Sequence, residues 1–144
     1  MVEPPRPRLI ACTECGTRNR VGAISSGTPR CAKCKHPLAW IVDADEASFA
    51  AETTASVPVI VDFWAAWCGP CRMISPVLAD LARARAGRLK VVKVDVDANP
   101  HLAQRFQAMS IPLLVVIRDG AEVDRIVGAL PRAALEQRLG PILV

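Results

Sequence analysis

Six cysteines carry most of the chemistry available to this chain, and they fall into three Cys-x-x-Cys pairs: Cys12/Cys15, Cys31/Cys34 and Cys68/Cys71. A thiolate is both a metal ligand and a nucleophile, so the surroundings of each pair decide its use. Fifteen residues separate Cys15 from Cys31, giving C-x2-C-x15-C-x2-C. That spacing suits four thiolates on one tetrahedral Zn2+. Gly16 follows Cys15 where a knuckle turn needs little side chain, and Thr13, Lys33 and Lys35 keep the segment polar. Residues 9–38 hold too few apolar side chains to bury a core of their own, so bound zinc would supply the folding energy. Two disulfides, or a redox pair that releases the metal on oxidation, are the alternatives. His36 lies two residues past Cys34 as a spare ligand that a complete four-thiolate set does not need.

The third pair sits in Trp67-Cys68-Gly69-Pro70-Cys71, between an apolar, β-branched run at 57–63 and a segment with helical spacing of apolar residues. A dithiol at the first turn of a helix meets unpaired N–H groups and a partial positive charge, which stabilise a thiolate. Cys68, first in the motif, is expected to be the accessible nucleophile. Cys71, one turn in, is placed to resolve a mixed disulfide. The competing reading is half of a metal site, but no Cys or His pair remains at matching spacing in this region. Asp62 lies inside the apolar run, where burial raises a carboxyl pKa and makes a base. A strand-end aspartate facing water is the plainer alternative. Lys93 interrupts Val91, Val92 and Val94 and is either buried with them or a surface lysine that snorkels.

Elements that place these residues follow from periodicity and punctuation. Trp40–Val42 reads as a short strand, and Asp43 or Asp45 as the cap of a helix through Thr53. Val57–Phe63, Leu89–Asp95 and Leu113–Ile117 read as buried strands. Met73/Ile74, Val77/Leu78 and Leu81/Ala82 mark the helix after Cys71, with Pro76 predicting a kink and Gly87 the end. Asn99-Pro100 opens a helix through Phe106. Asp119-Gly120 is a two-residue hairpin turn into 122–127, and Pro131 opens a last helix to Leu139. The order β-α-β-α-β-α-β-β-α predicts an α/β domain with a mixed sheet whose antiparallel edge comes from the hairpin. The predicted organisation is a disordered proline-rich lead at 1–8, a zinc ribbon at 9–38 and an α/β domain at 39–144.

Bulk properties narrow the rest. The chain has 144 residues, 51% hydrophobic and 22% charged, with a net charge of +4. No dense basic run with interleaved aromatics supports nucleic-acid binding. No stretch of about 20 apolar residues would span a membrane. The first residues lack the apolar run of a signal peptide, so the expected compartment is the cytoplasm, where thiols stay reduced. Trp40, Trp64, Phe49, Phe63 and Phe106 read as core or boundary packing, and His101 as a surface residue.

The segment Val61-Asp62-Phe63-Trp64-Ala65-Ala66-Trp67-Cys68-Gly69-Pro70-Cys71-Arg72, continued by 93–97, Ser110-Ile111-Pro112 and Val127-Gly128, resembles the thioredoxin family over about 40–144. With the four-cysteine segment in front, the chain is similar to the zinc-binding, two-domain thioredoxins. The resemblance implies a thioredoxin fold behind a small zinc ribbon, and a protein-disulfide reductase with no bound organic cofactor. Cys68 would attack substrate and Cys71 would resolve. Asp62, with Lys93 near it, would serve the proton on Cys71. Trp67, Gly69, Pro70, Ile111, Pro112 and Gly128 would form the substrate surface, with Pro112 cis. The implied partners are disulfide-bearing proteins and an NADPH-dependent thioredoxin reductase, met by a monomer. Two positions depart from the common pattern: Arg72 stands where Lys is usual, and Leu113 where Thr is usual. Leu113 is expected to make the substrate surface more apolar. The other class of reading is a binding module, in which the ribbon holds a nucleic acid or protein and the second domain senses redox state.

Overall fold

Trp40–Asp43 (β3), Val59–Trp64 (β4), Lys90–Asp95 (β5), Leu113–Arg118 (β6) and Ala121–Val127 (β7) form one mixed sheet in the order β3-β5-β4-β6-β7. This is seen in a computed structural model that describes residues 8–24 and 27–143. β3 and β4 both run parallel to β5. β6 runs antiparallel to β4 as well as to β7, so the antiparallel part is wider than the hairpin alone predicts. A crossover helix does not by itself fix strand direction, and the short helix between β5 and β6 returns the chain the other way. The three inner strands are buried almost throughout, which is why they read as continuous apolar runs rather than alternating ones.

Side chains alternate between the two faces of each strand. Val59, Val61 and Phe63 pack with Val92, Val94, Leu113 and Val115 on the side of Phe49–Thr53 (α1) and Pro100–Arg105 (α3). Ile60, Val91, Leu114 and Val116 pack on the opposite side, under Gly69–Ala84 (α2) and Arg132–Leu139 (α4). Asp62 and Lys93 continue the Ile60 and Val91 rows and so lie on the α2 side. α2 turns Cys71, Ile74, Leu78, Leu81 and Ala82 inward at spacings of three and four, and runs on through Pro76. Trp40, Phe49 and Phe63 are buried, as expected of core aromatics, and Trp64 and Phe106 are half-buried.

Several ends differ from the sequence reading. Asp45 and Ser48 exchange backbone-to-side-chain hydrogen bonds of 2.8 and 3.0 Å, closing a turn just before α1. Asn99 makes no capping bond to α3; its amide accepts from Glu46 N–H and donates to Asp95 O instead. Competition from the neighbouring loop therefore outweighs local capping there. Asp119 and Gly120 both have positive φ, 54° and 79°, as the predicted two-residue hairpin requires.

Arg8–Ala11 (β1) pairs antiparallel with Arg18–Val21 (β2). Arg8 thus opens a strand, whereas the rest of the predicted lead lies outside the described residues. Cys12, Val21, Cys31 and Leu38 are buried in the same cluster as Trp40, Val42 and Phe49, so this small sheet is seated on the α1 side of the larger one. Polar contacts join the two: Arg8 donates to Asp43 O at 2.5 Å, and Ser56 donates to Gly27 O at 3.2 Å. Beneath them Lys90, fully buried, donates to Glu52 at 3.1 Å and lies 4.2 Å from the Trp40 ring centre. Burial pulls the Lys90 pKa below its ordinary value against the pull of Glu52.

Candidate active site and thiolate cluster

Cys68 and Cys71 are joined by a disulfide with Cα atoms 5.3 Å apart. Cys68 is the N-cap residue of α2, extended at φ −87° and ψ 109°, and Pro70 occupies the first turn, where a missing N–H costs nothing. The Cys68 sulfur accepts the Cys71 N–H at 3.1 Å, so a donor of the helix end that lacks an intrahelical partner points at that sulfur. On its other side the sulfur lies 3.8 Å from Ile111 O. The Ile111–Pro112 bond is cis, and Gly128 N–H donates to Pro112 O at 2.9 Å. Gly128 has φ +93°, a conformation that glycine adopts without penalty.

The expectation of an accessible Cys68 needs correction. It is 3% exposed, the same as Cys71. Ala65 packs with the two sulfurs, and Trp64, Val96 and Ile111 close round them. What the site exposes is its rim: Ala66, Gly69, Pro70 and above all Trp67, at 68%. Trp67 is held by its indole N–H, which donates to Asp97 at 2.9 Å. Leu113 also departs from expectation. It is 1% exposed and belongs to the α1-side core, because strand alternation turns it away from the dithiol.

Asp62 is 1% exposed, and neither carboxylate oxygen has a hydrogen-bond partner. Burial raises its pKa from 3.8 to about 6, against a lowering by the charge of Lys93. Asp62 and Lys93 are register partners across β4 and β5. Yet the Lys93 ammonium donates to Ser75 Oγ at 2.9 Å and stands 5.3 Å from the centre of the Trp64 ring. A recess of about 120 Å³ beside the dithiol is lined by Trp64, Cys71, Arg72, Ser75 and Lys93. Sequence reasoning did not single out Ser75 or Asp97. Each acts through a side chain far away in sequence, so no local pattern marks it.

The other four cysteines converge as their spacing predicts. Their sulfurs all lie within 4.8 Å of one another, with Cys12–Cys34 at 3.6 Å and Cys15–Cys31 at 3.5 Å. A zinc–sulfur bond of about 2.3 Å makes a tetrahedron with edges of about 3.8 Å, so the donor set fits that ion. The two knuckles are built alike. Gly16 N–H returns to Cys12 O and Lys35 N–H to Cys31 O, both at 2.9 Å, with φ +75° at Gly16 and +69° at Lys35. N–H groups of Cys34 and Lys33 hold the Cys31 thiol down to about 6. Cys34 is favoured as thiolate by the His36 N–H, yet burial and its thiol neighbours push it up to about 12. Four thiols this close cannot all ionise without a cation among them. Asn19, 6% exposed, ties the knuckles by accepting from Ala32 N–H at 2.9 Å and donating to Thr17 O at 3.0 Å. His36 pairs with Glu14 at 3.5 Å and stands outside the four-sulfur set.

A family model described as thioredoxin matches residues 40–140. The chain belongs to the thioredoxin family. A thioredoxin of Mycobacterium tuberculosis is 50% identical over 103 residues, covering 71% of this chain and 89% of that protein. A thioredoxin of Bacillus subtilis is 50% identical over 97 residues, covering 67% of this chain and 92% of its own. A bifunctional thioredoxin reductase/thioredoxin of Mycobacterium leprae is 46% identical over 103 residues, 71% of this chain and 22% of that protein. The chain is a thioredoxin-type disulfide oxidoreductase, and its four-cysteine front segment is consistent with the zinc-binding type of the family. No helix among the described residues is long and apolar enough to cross a membrane.

Proposed function

We propose that this thioredoxin works as a protein-disulfide reductase. The observation that carries the reading is the Cys68–Cys71 pair at the α2 N-terminus, its first sulfur bonded by a helix N–H and facing the Ile111 carbonyl. In the reduced protein the Cys68 thiolate attacks one sulfur of a substrate disulfide. A mixed disulfide forms and one substrate thiolate leaves. Asp62 accepts the proton of Cys71, and Lys93 balances the charge. The Cys71 thiolate then attacks the Cys68 sulfur, closing the intramolecular disulfide and expelling the second substrate thiolate. Two electrons pass to the substrate; Asp62 hands on the one proton it took from Cys71, and the product thiolates take any further proton from water. The substrate lies along Trp67, Gly69, Pro70, Ile111, Pro112 and Gly128, opening the rim as it reaches the shielded sulfur.

An NADPH-dependent thioredoxin reductase returns the electrons. The relative that joins reductase and thioredoxin in one chain supports such a partner. Cys12, Cys15, Cys31 and Cys34 hold one zinc ion, which supplies cross-linking rather than chemistry to a ribbon at 9–38, ahead of the redox domain at 39–144. The protein acts as a cytoplasmic monomer without nucleic acid. Insulin reduction tests the reading. Turnover with dithiothreitol that disappears in Cys68→Ser supports it. Turnover that survives Cys68→Ser, or none in the unaltered protein, sinks it.

A further inference from the structure

A lysine half-buried beside an unpaired carboxyl is expected to ion-pair with it. Lys93 does not. Its ammonium is drawn to the Ser75 hydroxyl at 2.9 Å, while both oxygens of Asp62, its register partner, stay without a hydrogen bond. Ser75 lies four residues after Cys71 on α2, hence on the same helix face, and both line the recess that Lys93 also walls. That recess is large enough for several water molecules. The site thus holds a cation bonded to a hydroxyl beside a carboxyl that has no partner.

We propose that Ser75 is a positioning residue: its hydroxyl anchors the Lys93 ammonium at the wall of the recess, away from the Asp62 carboxyl, and so sets the pH range of the resolving step. The inference rests on the reading of Asp62 as the base for Cys71. Few other groups compete. From α2 the facing residues are Cys71, Ser75 and Arg72, and Arg72 is engaged by Ala66 O at 2.6 Å. From β6 the register partner of Asp62 is Leu114, which is apolar. From β3 the nearest charge is Asp43, the register partner of Lys93. Loss of the hydroxyl leaves the ammonium between two carboxylates in register with it, Asp43 and Asp62. Asp43 is exposed and screened by water, so the buried, unpartnered Asp62 attracts the charge more strongly. An opposite charge brought close favours the ionised acid.

The test is a carboxyl-carbon NMR titration of Asp62 in the full, reduced chain, with Ser75→Ala and Ser75→Thr beside the parent. It is run with the pH profile of single-turnover release of thiol from a mixed disulfide on Cys68. Ser75→Ala is expected to move the Asp62 titration down by about one pH unit and the release profile with it. Ser75→Thr, which keeps the hydroxyl, restores both. An unchanged or upward titration in Ser75→Ala overturns the proposal, as does Ser75→Thr behaving like Ser75→Ala. The base reading fails separately. In that case Asp62→Asn leaves the release profile unaltered, whereas the Asp62 titration still reports on Ser75.

Discussion

Replacing Asp62 by Ala should stabilise the oxidised protein near neutral pH while slowing the resolving step. The carboxyl is buried, its oxygens are unpartnered, and its pKa rises from 3.8 to about 6. Below 3.8 the group is protonated in folded and unfolded chains alike and carries no ionisation penalty. Between 3.8 and about 6 the unfolded chain releases the proton and the folded one does not, so stability falls as pH rises. Above about 6 the penalty is complete. At about 1.4 kcal/mol per pH unit, the interval corresponds to about 3 kcal/mol. The small cavity left by Ala takes back about 1 kcal/mol at every pH. Urea unfolding of both oxidised proteins should therefore show Asp62→Ala more stable by about 2 kcal/mol at about pH 7.5, and less stable by about 1 kcal/mol at about pH 3. Other titrating groups cancel in the difference. A difference between the two proteins that stays constant across this range would refute the reasoning, because a carboxyl that is not strained when ionised gives no such slope.

Cys12→Ser should lose the bound metal in a zinc assay and lower the melting temperature. Cys12 and Cys31 share a core with Trp40, so loss of the ribbon uncovers the α1 side of the sheet. Insulin reduction per molecule should survive, and its complete loss in a folded protein would contradict the separation of the two sites. Glu52→Ala should cost about 3–5 kcal/mol in urea unfolding, because it strands the buried Lys90 charge, whereas Glu52→Leu combined with Lys90→Met should recover most of that loss. Asp97→Ala should raise KM for insulin with kcat nearly unchanged, because it frees the exposed Trp67 ring without touching either sulfur.

Much of this architecture is legible in the sequence because each signal is local. The β-branched runs of β4, β5 and β6, the Asp119-Gly120 turn and the two zinc-type knuckles are written in consecutive residues. What stays illegible depends on residues brought together by the fold. Nothing in the sequence around Lys90 marks its partner, because Glu52 lies 38 residues earlier and is brought to 3.1 Å only by the fold. Asn19 sits in a polar stretch that gives no hint of its grip on Ala32. Asn99 reads as a cap, yet the neighbouring loop claims its side chain. The direction of β6 against β4 is set by packing across the whole sheet, which no periodicity encodes. The shielding of Cys68 is likewise a product of Ile111 and Val96, far along the chain.

The assignment of attack to Cys68 is open to a direct measurement: mass spectrometry of Cys71→Ser after exposure to a disulfide-bonded peptide. With the resolving thiol gone, the peptide should remain attached, and fragmentation should place it on Cys68. A peptide found on one of the four clustered cysteines, or no adduct at all in a folded protein, contradicts the account.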